Sequence, residues 1–283
     1  MKKLIINADD FALHPAINEA IINAHIQGVL TSTSILATGD YFQAAVSLAS
    51  YYPKLSIGAH LCLVGGLKPI TNPQLIPSLL DPETKRFYDN YLIFTKKFFL
   101  KQIKLSEIEL ELSNQINFMR AHGLILTHID SHQHLHVLPG INDVVAKIAQ
   151  KNQITKIRLP HENFFFTGNY PYTFARFLGR TILSIFAKLS KKKFEAAQLT
   201  LPNSFFGMLA GGNLQEKYFL NILENITTET NEIMIHPGNN NKDLTRKFAW
   251  QYNWELELQT LLSSQVKEKL KEKNIALISF KDL

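Results

Sequence analysis

Leu124-Ile125-Leu126-Thr127-His128-Ile129-Asp130-Ser131-His132-Gln133-His134-Leu135-His136 opens as an apolar run and closes as a cluster of imidazoles. A short apolar run bounded by polar residues reads as a buried strand. Four His and one Asp fall within residues 128–136, at that strand's C-terminal end. Parallel α/β barrels gather their chemistry at this end of their strands, so the stretch predicts both an architecture and a functional rim. If the strand continues, alternation sends His128, Asp130, His132, His134 and His136 one way; a bend near Ser131 brings only some of them to a site. Imidazole and carboxylate donors suit zinc and similar first-row ions, with some members orienting the ligands through hydrogen bonds.

Outward from this stretch, short apolar runs alternate with helical periods, the pattern of βα units around a parallel sheet. Strands are expected at 3–7, 32–37, 55–61, 124–129, 156–159, 232–235 and 276–280. Pro15 at a first helical position, with Ile17, Ala20, Ile21 and Ala24 before Gly28, predicts a helix. Ser106 and Glu109 have capping-box spacing and predict a second helix to His122, ahead of Gly123. Residues 65–95 read as a long loop or lid, and residues 161–213 as an aromatic, basic insertion between two βα units. At 283 residues with 46% apolar composition, a single α/β domain is expected.

Three other strand ends carry chemistry-bearing residues. Asp9 and Asp10 close Ile5-Ile6-Asn7-Ala8-Asp9-Asp10-Phe11; such a pair ordinarily caps a helix and meets solvent, whereas beside a divalent ion one carboxylate ligates and its neighbour acts as a base. His60 shares a face with Gly58 and Cys62 in Ile57-Gly58-Ala59-His60-Leu61-Cys62, where Gly58 leaves room beside the imidazole. Cys62 reads as a small apolar filler. His236, before Pro237-Gly238, is a turn histidine or, beside a metal, a general acid. Arg158 ends a further strand, where it orients Asp9, grips substrate or forms a surface salt bridge.

The net charge of +6 and pI near 9.2 concentrate in Arg176–Lys193, where Phe174, Phe177, Leu178, Ile182, Ile185, Phe186 and Leu189 alternate with Arg176, Arg180, Lys188, Lys191, Lys192 and Lys193. A basic helix over residues 173–193 with an apolar face lies on an anionic membrane or packs on its own barrel. Nucleic acid is not an expected partner. One Cys, no signal-like N-terminal segment and no run of about 20 apolar residues predict a cytoplasmic protein, at most peripheral to the inner membrane surface. The oligomeric state stays open, a dimer included.

The sequence resembles the YdjC-like carbohydrate deacetylases, which include chitooligosaccharide deacetylases and a branch associated with hopanoid biosynthesis. The resemblance rests on Asn7-Ala8-Asp9-Asp10-Phe11, Leu30-Thr31-Ser32-Thr33-Ser34, Gly58-Ala59-His60-Leu61, the 127–136 stretch, His236-Pro237-Gly238, Glu255-Leu256 and Ile278-Ser279-Phe280. The hopanoid-associated branch is similar also in Ser204-Phe205-Phe206-Gly207-Met208 and in the insertion's length. The resemblance implies an irregular (β/α), TIM-like barrel with one divalent metal, zinc or magnesium, held by Asp10, His60 and His132. Asp9 is then the base, His236 the acid, and Asp130, His134, His128 and Arg158 contact substrate or support the ligands. The implied substrate is an N-acetylated saccharide or glycolipid. Ala12 departs from the family's usual Gly, which matters if that backbone needs positive φ. Two competitors remain: a metal-dependent phosphoesterase and a non-catalytic saccharide or lipid binder.

Overall fold

The computed structural model describes residues 1–283. Strands β1 (Lys2–Phe11), β2 (Ser32–Ile35), β3 (Ser56–Leu61), β4 (Ile129–Ser131), β5 (Ser204–Phe206), β6 (Thr230–Ile235) and β7 (Ile275–Leu277) form one parallel sheet. Its order is β4-β3-β2-β1-β6-β5, and β7 flanks β1 at Lys2–Leu4, ahead of the point where β2 joins at Asn7. Helices α1 (Pro15–Gln27), α2 (Phe42–Ser50), α3 (Tyr91–Phe99), α4 (Leu105–Ala121), α5 (Ile141–Lys151), α6 (Phe174–Ala196), α7 (Glu216–Asn225), α8 (Asn241–Lys247), α9 (Trp254–Leu262) and α10 (Ser264–Glu272) surround it. Every residue of β2 and β3 is buried, as in parallel sheets covered on both faces. This is the barrel-like α/β architecture expected.

The irregularities fall where the sequence pattern is weakest. Residues 156–159 form no continuous strand. Ile157 bridges to Ile129 and Lys156 to Thr200, so the segment carries the sheet's curvature from β4 toward the chain leading into β5. The 161–213 segment is more than an insertion, because it supplies β5 as well as α6. Glu162 turns inward within it and accepts the Met208 and Leu209 amides.

The capping box is not formed. The helix α4 begins at Leu105 with Lys104 as its cap residue, and Ser106 lies inside its first turn. Its acidic residues instead hold the 65–95 segment. Glu111 accepts the Ile70 and Thr71 amides, and Glu107 accepts both the amide and the hydroxyl of Ser78. Such charge-assisted bonds explain how a segment with only two single-turn helices before α3 keeps one path across the rim.

On α6, Ser184, Ala187, Ser190 and Phe194 face inward while Phe174, Leu178, Ile182, Ile185 and Leu189 face solvent. Arg180 belongs to the inner face, not to a basic solvent face. It is buried and donates to the Asn163, Phe164 and Phe166 carbonyls, closing the 161–170 turn against the helix. The helix thus packs on its own barrel and still leaves a continuous apolar stripe uncovered.

Candidate metal centre and cleft

Alternation should send the adjacent Asp9 and Asp10 to opposite faces of β1. Asp10 instead takes φ 67°, at a register break against β2 between Ala8 and Phe11. This kink, in the manner of a bulge, turns both carboxylates inward. Ala12 follows at φ 84°, so the backbone does need the left-handed conformation that the family's glycine adopts freely.

The chain kinks again after β4. Gln133 and His134 are both left-handed, at φ 57° and 55°, so the predicted bend comes just past Ser131. It swings His132 toward β1. Asp10 Oδ1 then lies 3.1 Å from His132 Nδ1 and 3.5 Å from His60 Nε2, with all three residues buried. Donors about 2.1 Å from a tetrahedral cation stand about 3.4 Å from one another, so the triad fits a single divalent ion. His60 Nδ1 is 2.7 Å from Asp130 Oδ1, which fixes the ring with Nε2 toward the triad. A carboxylate behind the imidazole is the usual support of a metal-binding histidine. Two imidazoles in the set favour zinc over magnesium.

Electrostatics carry the same signature. Burial alone would lower His60, but Asp130, Asp9 and Asp10 push it up to about 10. Burial alone would raise Asp10, yet His132 and His60 hold it well below the usual carboxylate range. A proton on His60 neutralises the acids in the absence of a cation, and a cation at the same place would displace it.

Asp9 is not an uncommitted carboxylate. Arg158 is wholly buried, which excludes the surface salt bridge, and its Nη1 and Nη2 each donate to one Asp9 oxygen at 2.7 Å. Nη1 also lies 2.8 Å from Asp130 Oδ2, and Nε donates to Glu232 Oε1 at 2.7 Å. A second group of donors, Asp9, His60 and Asp130, could also gather an ion. Two of its three members already neutralise the buried guanidinium, which argues for one ion.

The remaining histidines separate clearly. His236 and His134 line a cleft of about 440 Å³ together with Asp9, His60, His132 and Tyr252. The Nδ1 of His236 has no hydrogen-bond partner and lies 3.7 Å from Glu257 Oε2. Burial lowers His236, but Glu257, with Asp9 and Asp10, outweighs it and raises the ring. His128 does not reach the cleft. It stacks on Phe280 at 3.7 Å, fills the space beside Gly58 that the sequence suggested was for His60, and is pushed down to about 3 by burial. Its hydrogen bond to Ser34, which donates to Asp130, leaves it three hydrogen bonds from His60 of the triad. His136 spans Ser131 and the Arg158 carbonyl and is structural. Cys62 is buried and its thiol is pushed up to about 12 by burial, consistent with a filler.

Two site carboxylates escaped the sequence reading. Glu232 follows Thr230-Asn231 and precedes the apolar run Ile233–Ile235 of β6, a polar context that carried no signal of a buried carboxylate. Glu257 lies on α9, where it accepts the Leu214 amide and the His236 amide. Helical spacing gave no hint of it, because the resemblance drew attention to the neighbouring Glu255.

Comparison with known proteins adds an independent line. The profile of YdjC-like proteins matches residues 3–272. A protein named carbohydrate deacetylase from Clostridium beijerinckii is 29% identical over 284 residues, covering 99% of this chain and 100% of that protein. One of the same name from Enterococcus faecalis is 31% identical over 289 residues, covering 100% and 98%. A solved structure from Enterococcus faecalis V583, described as a cellobiose-phosphate cleavage protein, superposes with a TM-score of 0.77. It is 28% identical and covers 99% of this chain and 98% of its own.

Proposed function

Because this chain belongs to the YdjC-like protein family, we propose that it is a carbohydrate N-deacetylase, hydrolysing the acetamide of an acetylated amino sugar with one divalent ion. The observation that carries the reading is the buried Asp10–His60–His132 donor set with Asp9 clamped beside it by Arg158. The relatives named carbohydrate deacetylase support the reaction class.

A cation held by the triad supplies Lewis acidity to the acetamide carbonyl and to the attacking water. Asp9 takes the water's proton. Both its oxygens are held by Arg158, and Asn7 Nδ2 donates to Oδ1, so Oδ2, 4.0 Å from His60 Nε2, is the oxygen with capacity left toward the triad. Departure of the sugar amine requires a proton on nitrogen. His236 delivers it from Nε2, the ring nitrogen left open to the cleft, while the buried Nδ1 faces Glu257, whose carboxylate favours the protonated ring. The two-ion phosphoesterase reading is disfavoured, since Arg158 occupies the place of a second cation.

Both soluble oligosaccharides and glycolipid headgroups fit this chemistry, and the surface favours the lipid. Phe174 and Leu189 are 78% and 63% exposed on α6, and Leu92 is 59% exposed on α3. Ile182 and Leu92 belong at once to this apolar surface and to the cleft wall. Lys188 and Lys192 flank the stripe, complementary to an anionic bilayer. No helix is long and apolar enough to cross a membrane, and the contact proposed for α6 and α3 is a peripheral one. Acetate release is measured from N-acetylglucosamine oligomers and from an N-acetylglucosaminyl lipid in anionic vesicles, after chelation and after zinc is restored. Metal-dependent release, faster from vesicles, is expected; silence on both with zinc bound overturns the reading.

A further inference from the structure

Three carboxylates converge on one buried guanidinium, and only two of them have other work. Asp9 faces the cleft, and Asp130 holds His60 through its second oxygen. Glu232 is wholly buried, reaches neither cleft nor triad, and bonds to Arg158 Nε alone; its Oε2 has no partner. One counter-charge would suffice to bury an arginine, so a third carboxylate with a stranded oxygen calls for an explanation.

Geometry supplies one. An arginine gripped only through Nη1 and Nη2 can still swing about its terminal bonds, carrying Asp9 with it. An acceptor on Nε adds a third fixed point and locks the guanidinium plane. In that plane Nη1 and Nη2 meet the two oxygens of Asp9 at equal 2.7 Å distances, while Nη1 also reaches Asp130. The base and the carboxylate behind His60 are thereby set relative to one another by a single rigid group. The anchor is itself rigid. Glu232 lies opposite Ile5 of β1 and Phe205 of β5 in register, paired on both sides, and the Phe205 ring lies 5.6 Å from the guanidinium carbon.

We infer that Glu232 is a positioning residue: through Arg158 it fixes the orientation of Asp9 against the metal triad. Burial, with Asp130 and Asp9 nearby, raises its carboxyl to about 7 against the pull of Arg158. It serves by where its oxygen sits, 2.7 Å from Nε. The inference rests on reading Asp9 as the base.

Two conservative variants separate position from charge, and both keep a polar group opposite Arg158. Glu232→Gln leaves an acceptor in place and removes the charge; Glu232→Asp keeps the charge and withdraws the acceptor by one methylene. In the zinc-loaded enzyme the Gln variant is expected within about threefold of wild-type kcat. The Asp variant should lose about tenfold to a hundredfold in kcat, with KM and zinc content unchanged. Equal activity of both, the opposite ranking, or losses in KM or zinc content overturn the inference. If wild type turns over no acetylated sugar, the functional reading fails first. The crystal structure of the Asp variant then decides alone: an unaltered two-bond grip of Arg158 on Asp9 overturns the positioning role.

Discussion

At the scale of single residues, the site is built from conformations that cost energy. Ala12 holds φ 84°, where a methyl group is unfavourable by about 1 kcal/mol. Ala12→Gly should therefore raise the unfolding free energy by up to about 1 kcal/mol, read from denaturant midpoints; a loss of stability would show that unfolded-chain entropy dominates there. The functional residues most legible in sequence were those announced by an odd local context: paired aspartates after an apolar run, and a histidine cluster at a strand end. The supporting residues were not, because their partners are remote. Asp130 meets His60 across 70 positions and Arg158 meets Asp9 across 149. Only the sheet's register brings such pairs together, and no spacing rule anticipates it. The same register selects among the alternatives the sequence left open: Arg158 lies in the core and orients Asp9, and His128 lies behind Ser34, away from the cleft.

Elements were legible wherever the pattern was periodic. Pro15 to Gly28 gives α1 as expected, and the apolar runs of β1, β3 and β6 appear within a few residues of prediction. Strand β5 went unseen because its three residues lie in an aromatic stretch with no alternation. The helix α4 begins one residue before the expected Ser106, but no capping box forms there: Glu109 pairs with Lys147, while Glu107 and Glu111 hold the 65–95 loop. That use predicts a specific sensitivity. Glu111→Ala strands the Ile70 and Thr71 amides, at about 1–3 kcal/mol. Hydrogen exchange should then quicken across residues 65–80 and little elsewhere; uniform quickening would mean that Glu111 supports the whole fold. The exposed stripe of α6 has the opposite profile. Ile182→Ser with Ile185→Ser should leave stability within about 0.5 kcal/mol while lowering binding to anionic vesicles. Undiminished binding would remove α6 from the membrane contact.

For the whole molecule, the centre links metal, protons and stability. In the metal-free protein His60 titrates near 10, against 6.5 when unfolded. A folded-state value above the unfolded one stabilises fully below pH 6.5, and that stabilisation drains away as pH climbs from 6.5 to 10. A bound cation replaces the proton, so the loaded protein should lack this loss. Melting curves of chelated and zinc-loaded protein across pH 6–10 should accordingly diverge as pH rises, with proton uptake or release by calorimetry reporting the exchange. Parallel curves would mean that His60 is not where the metal binds.

The central claim is that one carboxylate ligates while its neighbour acts as base, and zinc content measured alongside acetate release tests it most directly. Asp9→Asn should retain one zinc per chain and lose about 10²- to 10⁴-fold in kcat. His132→Ala should lose zinc and turnover together. An Asp9→Asn enzyme that works at the wild-type rate, or one that loses its zinc as His132→Ala does, would contradict the division of roles between Asp9 and the triad.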